Sequence, residues 1–275
     1  MRINNNIPAL NTHRLLNINT EGLQKSLERL SSGKRINRAA DDAAGLAISQ
    51  KMEAQIKGLR QASRNSLDGV SLIQTAEGAL GEVHSMLQRM RELSVQGANG
   101  IYEKDDLGAI ANEIEQLTEQ IDKIAENTEF NGIKLLNGDE DKLSLQIGAN
   151  EGQIIIIDMK ELKSDPNELG INNIITKVSD SNDYQKAITQ YEGAIKTVSS
   201  HRSKLGAVQN RLEHTIKNTD NTAENLTAAK SRIEDLDMAL EMSTFTKLNI
   251  LQQAGTSMLG QANNMPQNVL QLLQR

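Results

Sequence analysis

From residue 43 to about residue 98 the chain contains no proline, and in the second half of that stretch apolar positions recur every three or four residues: Ile73, Ala76, Leu80, Val83, Leu87 and Met90, with Ser94 next in step. Ile48, Met52, Ile56 and Leu59 mark a face nearer its start. Alternating steps of three and four keep side chains on one side of an α-helix, and nothing here removes a backbone donor. The spacing predicts one helix over 43–98, roughly 80 Å long at 1.5 Å per residue. A helix of that length needs equally long partners to cover its seam.

The sequence supplies two. After the turn signal Gly97-Ala98-Asn99-Gly100 come Leu107, Ile110, Ile114, Leu117, Ile121 and Ile124, again spaced three and four. Much later, Tyr184, Ile188, Tyr191, Ile195 and Val198 open a run that continues through Leu205, Val208, Leu212, Ile216, Thr219, Ala223 and Leu226 to Ile233. The expected fold class is mainly α: an elongated antiparallel helical bundle of long heptad helices. A small β-hairpin patch is expected near 130–175. There Leu143, Leu145 and Ile147 alternate with polar residues, Gly148–Gly152 reads as a turn, and Ile154–Ile157 is β-branched. Asn131-Gly132 and Asn137-Gly138 are tight-turn signals before it, and Asp165-Pro166 closes the region.

Composition agrees with thin helical layers. Hydrophobic residues make up 37% and aromatics 2%, with no tryptophan, too little bulk for a wide globular core. The net charge of −6, without a basic stripe, argues against a nucleic-acid partner. No apolar run of about 18 residues exists, so no membrane span is expected, and Met1–Asn6 lacks the apolar region of a cleaved signal peptide. The absence of cysteine excludes disulfides, thiolate metal sites and thiol catalysis, and leaves the compartment open.

Both ends carry helical apolar spacing outside the bundle. Leu16, Thr20, Leu23, Leu27 and Leu30 form one seam, broken at Ser31-Ser32-Gly33, with a connector over Lys34–Asp42. Leu248, Leu251, Gly255, Met258 and Ala262 form the other, and Asn263-Asn264-Met265-Pro266 is expected to interrupt it before Val269 and Leu270. The chain therefore divides into an N-terminal segment 1–42, a bundle 43–235 and a C-terminal segment 236–275. Two helices alone bury little, so the terminal segments are expected to order on assembly, when neighbouring subunits cover them.

No chemistry converges. His13, His84, His201 and His214 lie on separate segments and read as solvated helix positions. Asp41-Asp42 reads as a helix cap. Ser31–Lys34 ends like a phosphate loop but has Glu28 where the leading glycine belongs. Gly78 and Gly81 read as points of close helix approach, and Met52, Met86, Met90 and Met258 as core filler. Asp139-Glu140-Asp141 lacks a calcium-loop pattern. No catalytic residue, cofactor or metal is expected, and the chain reads as a structural subunit, not an enzyme.

At both ends the sequence resembles bacterial flagellins. The motifs are Ser31–Asn37 with Asp41–Ile48, then Ser231–Ala239, Gln252–Leu259 and Pro266–Leu270, and the resemblance covers nearly the whole chain. It looks like a minimal flagellin, without the large variable outer domains, and Glu241–Phe245 departs in detail from commoner versions. The resemblance implies a subunit that polymerises with itself into the filament for motility. It further implies an extracellular protein, exported unfolded through the flagellar channel without signal cleavage. An export chaperone, a cap protein and a hook-filament junction protein would be its partners. Leu16, Leu23, Leu27, Leu30, Leu248, Leu251, Met258, Leu259, Val269 and Leu270 would assemble the inner tube. Gln88–Gln96 is similar to the patch read by a vertebrate Toll-like innate receptor, with Arg89, Leu93 and Glu113 at the positions that matter; subunit packing is the plainer role of the same residues, and both can hold. A hook-filament junction protein of the same terminal plan is the alternative function, and an independent coiled-coil adaptor a third.

Overall fold

The computed structural model describes residues 6–138, 141–172 and 181–273, the backbone alone at 181–182 and 266–273. Among the described residues there are five α-helices: α1 (Ile7–Ser32), α2 (Ala43–Gly97), α3 (Lys104–Asn127), α4 (Ser181–Glu234) and α5 (Met238–Leu273). Between α3 and α4 lie two antiparallel strand pairs, β1 (Glu129–Phe130) with β2 (Ile133–Lys134) and β3 (Lys142–Gln146) with β4 (Ile154–Asp158), then a 3₁₀ turn at Lys160–Leu162. The chain forms two compact units, one of Met1–Ala54 with Glu224–Arg275, the other of Gln55–Ala223.

In the 55–223 unit the heptad reading holds. Ile73, Ala76, Leu80, Val83, Leu87, Met90 and Ser94 on α2 are fully buried, facing Leu107, Ile110, Ile114 and Ile121 of α3. On α4, Tyr184, Tyr191, Val198, Leu205 and Leu212 take the inward positions. Contacts run from Gly97 against Tyr184, through Glu77 with Arg202, to Gly69 against Leu212, so residue number falls on α4 as it rises on α2: the two are antiparallel. Ala187 and Ala194 are buried where Ile188 and Ile195 were expected, and those two isoleucines are half-buried. The broad aromatic rings of Tyr184 and Tyr191 set the seam, and small neighbours fill what space remains. The Tyr184 hydroxyl donates to the Leu107 carbonyl at 2.8 Å, fastening α4 to α3.

The paired strands run from Glu129 to Asp158, one residue ahead of the expected start; residues 173–175 of the expected region fall outside the described residues. Asn131 and Gly132 both have positive φ, 50° and 80°, as a two-residue primed turn between β1 and β2 requires. Along β4, Ile155 and Ile157 turn into the core while Ile154 and Ile156 face outward. Of the acidic run, Asp139 and Glu140 lie outside the described residues, and Asp141 pairs with Lys160 at 2.6 Å.

Three expectations need correction. His201 is buried, not solvated: its α4 position lies beneath the segment after β4, and Ser164 Oγ is 3.3 Å from Nδ1. That oxygen already donates to the Leu162 carbonyl at 2.9 Å, so Nδ1–H donates to it, and burial lowers the imidazole's proton affinity. Gly78 and Gly81 are not contact points: no described atom lies within 4 Å of an added Cβ at either. Nor does the Asn263–Pro266 stretch interrupt α5, which runs on to Leu273. An interior proline normally costs about 3 kcal/mol, so its tolerance here calls for a compensating contact.

At Gly97 an added Cβ would stand 2.7 Å from the buried Tyr184 ring, which cannot withdraw. Gly97→Ala is expected to destabilise the 55–223 unit by about 1–3 kcal/mol. Gly78→Ala, with open space around it, is expected to stabilise by about 0.5–1 kcal/mol. Denaturant unfolding of the full chain checks both.

Candidate assembly surface

The terminal helices pair with each other. Asn6 meets Ala262, Leu16 meets Gly255 and Gly22 meets Leu248, an antiparallel register of α1 on α5. An added Cβ on Gly255 would be 3.2 Å from Leu16 Cδ1, so its lack of a side chain sets how closely the helices approach. The side chain of Asn6 caps α1, its Oδ1 accepting from Ala9 N at 3.2 Å, while its Nδ2 donates to the Ala262 carbonyl at 2.7 Å.

This pair has almost no core of its own. Among the described residues of α1 and α5, Ser26 and Ala262 are buried. Leu16, Leu23, Leu30, Leu248 and Leu259 are half-buried in the seam. Leu27, Leu251 and Met258 are 54%, 40% and 60% exposed, so Met258 is not core filler within one chain. Val269 and Leu270 lie on the last turns of α5, where side chains are outside the described residues. Most of the large apolar side chains that the described chain exposes sit on these two helices. Leu251, Met258 and Met265 are seven residues apart and form one stripe, and Ile7, Leu10, Leu15 and Ile18 add apolar surface on α1. An exposed apolar surface of this extent marks a site for another protein surface.

The connector that follows α1 is rigidly tied. Gly33, at φ 70°, ends α1 in the left-handed conformation with its N–H on the Arg29 carbonyl. Lys34 pairs with Asp235 in a short antiparallel bridge, Arg35 N donating to the Glu234 carbonyl at 2.7 Å and Leu236 N to the Gly33 carbonyl at 3.0 Å. Lys34 Nζ lies 2.5 Å from Glu234 Oε1, and Lys230 bridges Glu53 and Glu234. Ile36 is buried, and Gly45 gives it room: a Cβ there would lie 2.8 Å from Ile36 Cδ1. Asp42 caps α2, accepting from Gly45 N at 2.9 Å, the role expected for the acidic pair.

Asp41 turns the other way. Its Oδ2 accepts from Asn37 N and Arg38 N, both at 3.2 Å, and its Oδ1 is 2.7 Å from Lys25 Nζ on α1. The Lys25 hydrogen bond, followed by the backbone donor of Arg38, lowers this carboxyl from its usual 3.8 to about 2. Sequence reasoning saw the cap but not this clasp, because Lys25 lies sixteen residues away with no periodic relation to Asp41.

In the 55–223 unit, Arg89 Nε and Nη2 both reach Glu113 Oε1 at 3.0 Å, and Nη1 is 3.5 Å from Glu92 Oε2. Hydrogen bonding to Glu113 raises the guanidinium's proton affinity further. Arg89 and Glu113 are exposed, whereas Leu93 is buried at 2% in the core beneath α2. Among the described residues no cluster of three or more His, Cys, Asp or Glu could hold a metal ion, and no helix is long and apolar enough to cross a membrane.

The family model for the bacterial flagellin N-terminal helical region matches residues 3–141, and that for the bacterial flagellin C-terminal helical region matches 188–273. The chain is 56% identical to a flagellin of Halalkalibacterium halodurans over 273 residues, covering 99% of this chain and 100% of that one. It is 44% identical to the flagellar filament 31.3 kDa core protein of Treponema maltophilum, covering 100% of both chains. The crystal structure of Bacillus cereus flagellin aligns at a TM-score of 0.51 and 31% identity, over 61% of this chain and 94% of that one.

Because the folded pKa of Asp41 is below the unfolded one, its contribution to stability is complete above pH about 4 and lost as the pH falls through about 2. Because Lys25 lies on α1, the assembled state carries the effect: Asp41→Asn filaments are expected to melt below wild-type filaments at pH 7, with the gap narrowing as the pH falls toward the Asp41 pKa. Thermal melts across that range decide it.

Proposed function

This chain belongs to the bacterial flagellin family, a structural and non-enzymatic subunit of the flagellar filament, and from that premise we propose that α1 and α5 are the elements through which it polymerises. The observation that carries this reading is the apolar stripe the α1–α5 pair leaves uncovered. Leu16, Leu23, Leu30, Leu248 and Leu259 hold the pair together. Leu27, Leu251 and Met258 face neighbouring copies, and Val269 and Leu270 continue that contact. Pairs from successive subunits line the inner tube, and the segment 43–235 surrounds it. Each Leu or Met covered on assembly contributes on the order of 1.5–3 kcal/mol, so a few such contacts per subunit suffice to drive polymerisation against its entropic cost.

The same surface explains how the subunit travels. With residues 1–42 and 236–275 ordering only on assembly, the chain passes unfolded through the flagellar channel to the extracellular tip, and no disulfide impedes threading. A chaperone covers the apolar ends before export, a cap protein presents them at the tip, and a junction protein of matching terminal plan seats the first copies. Full-length identity to filament flagellins favours an indefinitely growing polymer over the short ring of a junction protein. Arg89 and Glu113 form the exposed pair that a Toll-like receptor reads on the free subunit, with Leu93 packing beneath to fix the helix that presents them.

Electron microscopy of purified subunit added to short filament seeds tests the proposal, beside the chain lacking 237–275. Extended filaments from the full chain alone are expected; growth of the truncated chain would refute the role of α5. The same preparations address the receptor: free subunit should signal, Arg89→Ala with Glu113→Ala should not, and equal signalling by both would end that reading.

A further inference from the structure

Residue 266 is a proline inside α5. It carries no N–H, so the carbonyl of Ala262, one turn earlier, loses its usual α-helical donor. Ala262 is buried, where water does not readily replace a missing hydrogen bond. The donor comes from the far end of the chain: Asn6 Nδ2 reaches that carbonyl at 2.7 Å, while Oδ1 of the same amide caps α1 at Ala9 N.

From this juxtaposition we infer that Asn6 is a positioning residue for assembly, a clasp that holds α5 continuous across Pro266 while α1 is seated. The inference rests on the reading of α1 and α5 as the polymerising pair. Only an amide serves both ends of the contact. A carboxylate keeps the cap acceptor but sets an oxygen against a carbonyl oxygen; a hydroxyl of serine keeps a cap but falls short of Ala262. The device makes the last turns of α5 conditional: residues 266–273 hold helical register when the start of α1 is docked, and are free to depart from it when α1 is absent. In a chain threaded unfolded, the C-terminal turns then lock only after the N-terminal helix has arrived.

The test is a double-mutant cycle on polymerisation, using Asn6→Asp, which preserves the cap, and Pro266→Ala, which restores a helical donor to the Ala262 carbonyl. In the wild-type background Asn6→Asp is expected to raise the monomer concentration left at equilibrium with filaments by about fivefold, the size of one net hydrogen bond. In the Pro266→Ala background the rise is expected to be less than about twofold. Equal factors in both backgrounds would overturn the inference. Should Pro266→Ala fail to polymerise, hydrogen exchange on Asn6→Asp filaments decides instead: faster exchange at 267–270 with 245–260 unchanged supports the clasp, and unchanged exchange at 267–270 overturns it. Polymerisation of a chain lacking 237–275 would sink the assembly reading itself, whereas additive factors in a chain that does polymerise sink the clasp alone.

Discussion

Two helices laid side by side can cover only one stripe of each other, and the apolar surface on α1 and α5 is wider than that stripe. The seam holds Leu16 against Gly255 and Leu248 against Gly22, so in each of these contacts one partner has no side chain to bury. What faces away from the seam, from Ile7 and Leu10 to Leu251, Met258 and Met265, stays in water within one chain. A pair built this way gains close approach and gives up self-sufficiency. Such a pair draws its remaining stability from whatever surface covers it.

The 55–223 unit answers the opposite demand. It fully buries the α2 heptad positions Ile73–Ser94 together with Tyr184, Tyr191, Val198, Leu205 and Leu212 of α4, uses two tyrosines as its bulk, and fastens α4 to α3 through the Tyr184 hydroxyl. The connector carries its own set of ties, with the Lys34–Asp235 bridge, the Asp41 clasp to Lys25 and the Lys230 link between Glu53 and Glu234. Those contacts fix the chain where α1 ends and α2 begins, and again where α4 ends and α5 begins.

Periodicity made the long elements legible. The steps through Ile73–Met90 and Leu107–Ile124 place α2 and α3 correctly because helix geometry turns spacing directly into a face. The hairpin was legible for the same reason, since the alternation of Leu143, Leu145 and Ile147 with polar residues, followed by a turn signal and a β-branched run, has a single structural meaning there. What escaped were contacts that join residues distant in sequence without a repeat. His201 is buried by a loop segment whose arrival no local pattern announces, and Ala187 and Ala194 are inward because of the tyrosines beside them. Pro266 read as a break on local grounds, and was tolerated because Asn6, 256 residues away in sequence from Ala262, supplies the donor. The seams of α1 and α5 were visible as apolar spacing, but which of their residues face the partner helix and which face outward depends on the register set by Gly22 and Gly255.

Hydrogen exchange of the free subunit and of the assembled filament, compared residue by residue along α1 and α5, tests the central claim most directly. The account predicts amides of both helices exchanging freely in dilute subunit and strongly protected in filament, with the 55–223 unit protected in both states. Strong protection of α1 and α5 in the dilute monomer would contradict it, because the pair would then be stable without the neighbours that its exposed surface calls for.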